Sequence, residues 1–267
     1  MRSHIFRRPA AFIAAAAVLA ASGCAEASLV NKNSDSSTAA KAASVAKITT
    51  VSAGIEPEDI EVGYEQTDSV SITFSENSAD AAGNGLTVEG TKVTITAAGT
   101  YLLSGSCPDG QVIVDADKDA QVKLVMNGLE LSCSDNSAIL VTKADKVFIL
   151  LEEGSVNTVS DGESYSVTGD DNQDGAIFSK ADVTINGRGT LNVNGNYKHG
   201  VVSKDDLVIT GGTVNVTSAS SALVGKDCVK ISDGTFDISS GTDGIKSTNS
   251  EEAEKGYVSI SGGSFKI

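Results

Sequence analysis

Between Ile95 and Ile267 the chain repeats one phrase seven times: an apolar residue, three spacers closing on glycine, a small or branched residue, then apolar positions in alternation. The copies begin at Ile95, Leu124, Ile149, Ile185, Ile209, Ile231 and Ile260, and the third carries one extra residue. Their glycines, from Gly99 through Gly128, Gly154, Gly189, Gly212 and Gly234 to Gly263, are separated by 29, 26, 35, 23, 22 and 29 residues. A period near 22 with loop insertions is the signature of a solenoid. Each copy reads as two short strands joined by a glycine turn, as in Asp206-Leu-Val-Ile, Thr-Gly-Gly, Thr-Val-Asn-Val, with Leu207, Ile209, Val214 and Val216 on one inward face.

No helical i, i+3, i+4 pattern is sustained here, and Val, Ile and Thr dominate, which disfavours helical repeats. A β-propeller blade needs four strands and roughly 40 residues, more than this period supplies. The fold class expected is therefore all-β, a right-handed parallel β-helix of about seven coils over residues 92–267. Residues 56–91 contain alternating runs such as Val70-Ser-Ile-Thr-Phe and Leu86-Thr-Val-Glu, which suit an N-terminal cap over the first coil. The last phrase ends at Ile267 where another Asp-Gly-Ile turn is expected, so further coils are anticipated beyond it.

Ahead of the repeats stand Arg2, Arg7 and Arg8, an apolar run from Ala10 to Ala21, and Ala21-Ser-Gly-Cys24, the pattern of an export leader. The small residues before Cys24 resemble a bacterial lipobox, which predicts acylation of Cys24 and a lipid anchor on the outer face of the bacterial membrane. Ordinary cleavage before Ser28, giving a secreted protein, is the rival. The apolar run is shorter than the ~20 residues of a membrane-spanning helix. Residues 28–55 are rich in Ser, Ala, Lys, Asn and Thr and read as a flexible tether.

The formal net charge is −15, and without the leader's three arginines 17 basic residues face 35 acidic ones. Nucleic acid and anionic membrane are poor partners for such a surface. Trp is absent and aromatics are few, which argues against a sugar-stacking platform. A monomer is expected. Taking Cys24 as lipidated leaves Cys107, Cys133 and Cys228, an odd set that closes no disulfide framework. Cys228 occupies the position held by Asp182 and Asp206 in neighbouring copies, and His199 is the only histidine outside the leader, so cysteine–histidine catalysis has no support.

Metal chemistry is better founded. Asp170-Asp-Asn172-Gln-Asp174-Gly175 matches the opening of an oxygen-rich calcium loop, with hard side-chain oxygens on alternate residues and a glycine for the sharp turn. An EF-hand would require a bidentate Glu at the twelfth place, where Ala181 stands, so the expectation is a calcium turn inserted between coils. An acidic solvated loop is the plain alternative.

Aligning the segments on Ala176, Gly200, Ala222 and Gly244 brings Lys180, Lys204 and Lys226 into one column, with Asp205 stacked on Asp227 beside it. Equivalent positions on adjacent strands lie about 4.8 Å apart. Two carboxylates so close require a cation or the neighbouring lysines. The lysines, with Lys246, are the candidate ligand-binding residues: a groove presenting ammonium groups and calcium suits a uronic-acid polysaccharide, whose carboxylates repeat as the ladder does. A self-neutralising surface ladder is the alternative.

The phrases Asp-Gly-Ala-Ile-Phe-Ser-Lys180, Ser203-Lys-Asp-Asp-Leu-Val-Ile-Thr-Gly-Gly-Thr, Gly225-Lys-Asp and Asp243-Gly-Ile-Lys-Ser resemble those of a bacterial carbohydrate-binding family known from clostridia. The likeness extends over roughly Ile95 to Ile267. It implies a surface β-helix similar to family 9 pectate lyases that binds calcium and acidic plant-wall polysaccharide such as polygalacturonate or pectin. By position it implies calcium ligands among Asp174, Asp205, Asp227 and Asp243; His199-Gly and Ser221-Ala depart from the expected Asp-Gly, and those coils lack that ligand. The function expected is non-catalytic binding. A calcium-dependent lyase would need one of Lys180, Lys204, Lys226 or Lys246 as base, whereas a catalytic base is normally an exception to a repeat. A calcium-stiffened stalk or adhesin is the third possibility.

Overall fold

The computed structural model describes residues 54–166 and 173–267. The leader, Cys24 and nearly all of the expected tether lie outside the described residues, as do Asp170 and Asn172.

One short helix, α1 (Pro57–Ile60), precedes the strands. A hairpin of β1 (Ser69–Ser75) and β2 (Ser78–Ala81) and a second of β3 (Leu86–Glu89) and β4 (Lys92–Ile95) follow, then β5 (Gly99–Cys107), β6 (Gln111–Asp115) and the long β7 (Gln121–Cys133). Thereafter the chain advances by threes: β8 (Ile139–Lys143), β9 (Lys146–Leu151) and β10 (Val156–Asp161); β11 (Gly175–Ser179), β12 (Asp182–Gly187) and β13 (Thr190–Gly195); β14 (His199–Ser203), β15 (Asp206–Ile209) and β16 (Thr213–Ser218); β17 (Leu223–Gly225), β18 (Cys228–Ile231) and β19 (Thr235–Ser240); β20 (Ile245–Ser247), β21 (Tyr257–Ile260) and β22 (Ser264–Lys266).

Each member of a triplet pairs in parallel with its counterpart in the next, so three ladders run side by side. The first is β4-β6-β8-β11-β14-β17-β20, with β3 added antiparallel at its end. The second is β9-β12-β15-β18-β21 and the third β10-β13-β16-β19-β22; both spring from β7, whose first half pairs with β9 and whose second half pairs with β10. The protein is thus all-β, with parallel strands in curled sheets. The repeated phrase accounts for the second and third ladders. The first ladder is a correction to the two-strand reading of each copy: its strands are buried on both faces, as in β11, where every residue is buried, so they offer no alternation of polar and apolar positions to read.

The core is made of identical columns. Ile149, Ile185, Ile209, Ile231 and Ile260 stand in register on the second ladder, and Val159, Val193, Val216 and Ile238 on the third. Each of these side chains except Ile260, which is half exposed at the end of the column, is buried and contributes about 1.5–3 kcal/mol. A further column of the third ladder, Leu191 and Val214, becomes aromatic at Phe236 and Phe265, whose rings stack at 4.5 Å and 2°. The recurring glycine is required at Gly212, where φ is +86° and an added Cβ would sit 2.7 Å from Cδ1 of Leu151. Cys107, Cys133 and Cys228 are all buried and unpaired.

A strap comprising residues 54–65 crosses the outer face of the second ladder. Lys230 Nζ donates to the Gly54 carbonyl at 3.2 Å at one end, and Lys123 Nζ to that of Gly63 at 2.8 Å near the other.

Candidate functional site

The corner between the first and second ladders is a two-residue turn repeated along the stack: Lys180-Ala181, Lys204-Asp205 and Lys226-Asp227. Buried hydroxyls hold it, since Ser179 and Ser203 both donate to the Ala181 carbonyl, at 2.7 and 3.0 Å. The backbone closes the stack, with Lys204 N–H donating to Ser179, Lys226 N–H to Ser203 and Asp227 N–H to the Asp205 carbonyl. The geometry therefore sets Lys180, Lys204 and Lys226 in one column and Asp205 beside Asp227. Lys246 stands elsewhere: it pairs in register with Val224, two places before the lysine column.

One residue further on, Lys146, Asp182, Asp206 and Cys228 stand in register on the second ladder. Asp182, Asp205 and Asp206 each turn a carboxylate oxygen into one space, within 4.8 Å of one another. Sequence reading used Asp182 and Asp206 only as the neighbours of Cys228; their part in the cluster depends on the corner folding them against Asp205. Asp227 joins from the next turn.

The electrostatics record the crowding. Partial burial, hydrogen bonding to Asp227 and the charges of Asp182, Asp227 and Asp206 push the Asp205 carboxyl up to about 7. Asp227 goes the other way, down to about 2: its burial opposes ionisation, but hydrogen bonds from Lys255 (2.7 Å) and Asn249 (2.9 Å) overcome it. Burial also raises Asp182, although its carboxylate accepts the Asp206 N–H at 3.0 Å. Lys230 offsets part of the charge by pairing with Asp206 at 2.8 Å. Chemically, this is a set of crowded hard oxygen donors, and a divalent cation among them would relieve their mutual repulsion. The donor chemistry of Asp182, Asp205 and Asp206 fits calcium, whereas the two oxygens of Asp227 are engaged by Lys255 and Asn249.

Asp174 and Asp243 stand apart from this corner, on the first ladder. Asp174 approaches His199 Nε2 and Lys204 Nζ, both at 3.8 Å, and its Oδ1 is buried without a hydrogen-bond partner. His199 Nδ1 accepts the Ser221 N–H at 3.0 Å, which leaves Nε2 to carry the proton towards Asp174. Burial, with Lys246 and Lys198 nearby, depresses the histidine, and Asp174 opposes that shift. The Lys204 ammonium lies over the Phe178 ring, 5.2 Å from its centroid, on its way to Asp174. Asp243 pairs with Lys246 at 3.3 Å and accepts a hydrogen bond from Ser221 Oγ at the same distance. Of the calcium ligands that the sequence suggested, Asp205 and Asp227 therefore meet at the corner, whereas Asp174 stands beside His199 and Lys204, and Asp243 beside Lys246.

A family model described as a carbohydrate-binding domain-containing protein matches residues 89–267. A protein of the same description from Acetivibrio thermocellus is 37% identical over 148 residues, which cover 54% of this chain and 52% of that protein. The chain thus spans about half the length of this relative. A solved structure, that of the polysaccharide lyase-like protein from C. thermocellum as a gadolinium derivative, is similar with a TM-score of 0.71 and 38% identity, over 73% of this chain and 80% of that one.

Proposed function

The chain belongs to the family of carbohydrate-binding domain-containing proteins, and from that membership we propose that it is a non-catalytic surface protein that binds acidic plant-wall polysaccharide, polygalacturonate or pectin, through calcium. The observation that carries this reading is the corner cluster, where Asp182, Asp205 and Asp206 crowd their carboxylates within 4.8 Å beside the column of Lys180, Lys204 and Lys226. Calcium accepts six to eight oxygen ligands, so three aspartates leave positions for a uronate carboxylate. Without calcium the same carboxylates repel a polyanion; with it, the corner and the lysines present alternating positive charge. Gadolinium, carried by the solved relative, is a hard cation with the same preference for oxygen.

In this reading the three ladders are the faces of a right-handed parallel β-helix of about seven coils. Acylated Cys24 anchors the monomer to the outer face of the membrane, and residues 28–55 hold it clear of the surface.

One observation favours a second reading: the solved relative is described as polysaccharide lyase-like. Lyase chemistry needs an amine free to remove a proton beside a calcium-neutralised carboxylate. Lys204 and Lys246 are instead engaged with Asp174 and Asp243.

Calorimetric titration with polygalacturonate, in calcium and in excess chelator, while following absorbance for unsaturated product, tests both. Calcium-dependent heat without product is expected. Product formation would establish the lyase, and absence of binding in both conditions would leave a calcium-stiffened stalk.

A further inference from the structure

The strap across the second ladder meets a row of donors. Asp59 is 1% exposed, and its Oδ1 receives Lys146 Nζ at 2.6 Å and the Thr184 hydroxyl at 2.5 Å. The Asp59 carbonyl accepts from Thr210 Oγ1 at 2.5 Å and from Asn186 Nδ2 at 3.2 Å, and Asn186 Nδ2 also donates to the Glu61 carbonyl at 2.8 Å. Lys146 reaches Glu58 as well, at 3.3 Å. With Lys230 on the Gly54 carbonyl and Lys123 on that of Gly63, the face offers ammonium, hydroxyl and amide donors to a line of oxygen acceptors.

A peptide backbone is an incomplete partner for this face. Asn186 is 2% exposed, and its Oδ1 lies buried beneath the strap with no donor. A buried acceptor left without a donor forfeits the hydrogen bond it would make to water. The strap supplies acceptors through its carbonyls and carboxylates, but its own N–H groups do not reach Asn186. A uronate chain offers what the strap offers, carboxylate and ring oxygens, and adds hydroxyl donors. The face is also continuous with the acidic corner, because Lys230 serves both Asp206 and the Gly54 carbonyl, and Lys146 stands in register with Asp182.

We propose that this face, centred on Lys146, Thr184, Asn186 and Thr210, is a second binding site for an extended uronate polysaccharide, and that residues 54–65 are a displaceable strap that occupies it until the polymer competes. The inference rests on the acidic-polysaccharide reading above and adds a location and a regulatory step to it. Binding is then reduced by the fraction of molecules in which the strap is lifted, and loosening the strap raises apparent affinity.

Hydrogen exchange on the full chain in calcium, with and without oligogalacturonate, is the direct test. The expected result is that amides of residues 58–63 exchange about tenfold faster in saturating oligomer, while residues 184–186 and 208–210 remain protected. In parallel, Asp59→Ala is expected to raise apparent affinity about tenfold, since it removes a charge-assisted contact made by the strap alone. Asn186→Leu added to it should cancel the gain. Oligomer that binds while strap exchange stays unchanged or slows would overturn the proposal and leave the corner site standing. Absence of binding to both wild type and Asp59→Ala would remove both readings together. Should Asp59→Ala melt far below the wild type, the exchange experiment on the wild-type chain decides alone.

Discussion

Replacing Asp205 by Asn removes one negative charge from the corner while preserving its shape. The carboxyl is pushed up to about 7 from the ordinary 3.8, roughly three units. The surrounding corner partly desolvates it although the residue as a whole keeps access to solvent, it shares a hydrogen bond with Asp227, and Asp182, Asp227 and Asp206 add their charges. At 1.36 kcal/mol per unit this is at most about 4 kcal/mol. Asp205 is solvent-exposed, so screening reduces the realistic figure to about 1–2 kcal/mol. The sign follows from proton counting. Between about pH 4 and 7 the native state keeps a proton that the unfolded chain gives up, so native stability falls as pH rises through that window. The Asn variant does not carry this penalty. In excess chelator at pH 8 and low salt it should therefore be the more stable protein, with Tm higher by about 3–6 °C. The advantage should shrink steadily towards pH 4. In millimolar calcium the order should reverse, because the wild type gains a ligand charge that the variant lacks. Urea and thermal melts at both pH values, with and without calcium, measure all four corners of this comparison. A variant less stable than wild type in chelator at pH 8, or equally advantaged at pH 4 and pH 8, would show that carboxylate crowding is not what raises Asp205.

The remaining predictions concern the core, a thiol and the lysine column. Ile209→Ala deletes the middle of the isoleucine column between Ile185 and Ile231 and should cost about 2–5 kcal/mol in urea denaturation without changing calcium affinity. Cys228, whose thiol is pushed up to about 12 by burial and the neighbouring Asp206 carboxylate, should resist alkylation at pH 8 in the native protein and react promptly in urea, as read by mass spectrometry. Combined Lys204→Ala and Lys226→Ala should weaken polygalacturonate binding and flatten its salt dependence, leaving uptake of an uncharged glucan as it was; equal loss for both polymers would contradict the lysines' electrostatic role.

The sequence displayed the second and third ladders openly because their strands recur about a fixed glycine with apolar positions in alternation, as in Thr213–Ser218. It concealed the first ladder, whose strands carry Gly and Ser at core positions. Asp205 and Asp227 were legible as neighbours through simple alignment. Asp182 and Asp206 were not recognisable as partners of Asp205, because adjacent residues in a strand point to opposite faces unless a corner intervenes. The Asp59 seat left no trace in the repeat pattern. Its partner Thr184 is 125 residues away, and one aspartate in a short acidic helix has no periodicity to betray it.

That separation also orders the assembly of the molecule. Ladder partners such as Asp206 and Cys228 are 22 residues apart, a span closed at small entropic cost, so strands can add one triplet at a time to those already formed. The strap obeys a different clock. It is synthesised before every strand it touches, yet its last partner, Lys230, lies 176 residues downstream of Gly54. A nascent chain can seat Asp59 on Lys146, Thr184 and Thr210 before β18 has emerged, but the contact of Gly54 must wait for Lys230. Docking of the strap is thus progressive: its full set of contacts forms only on a stack that already extends from β7 to β18.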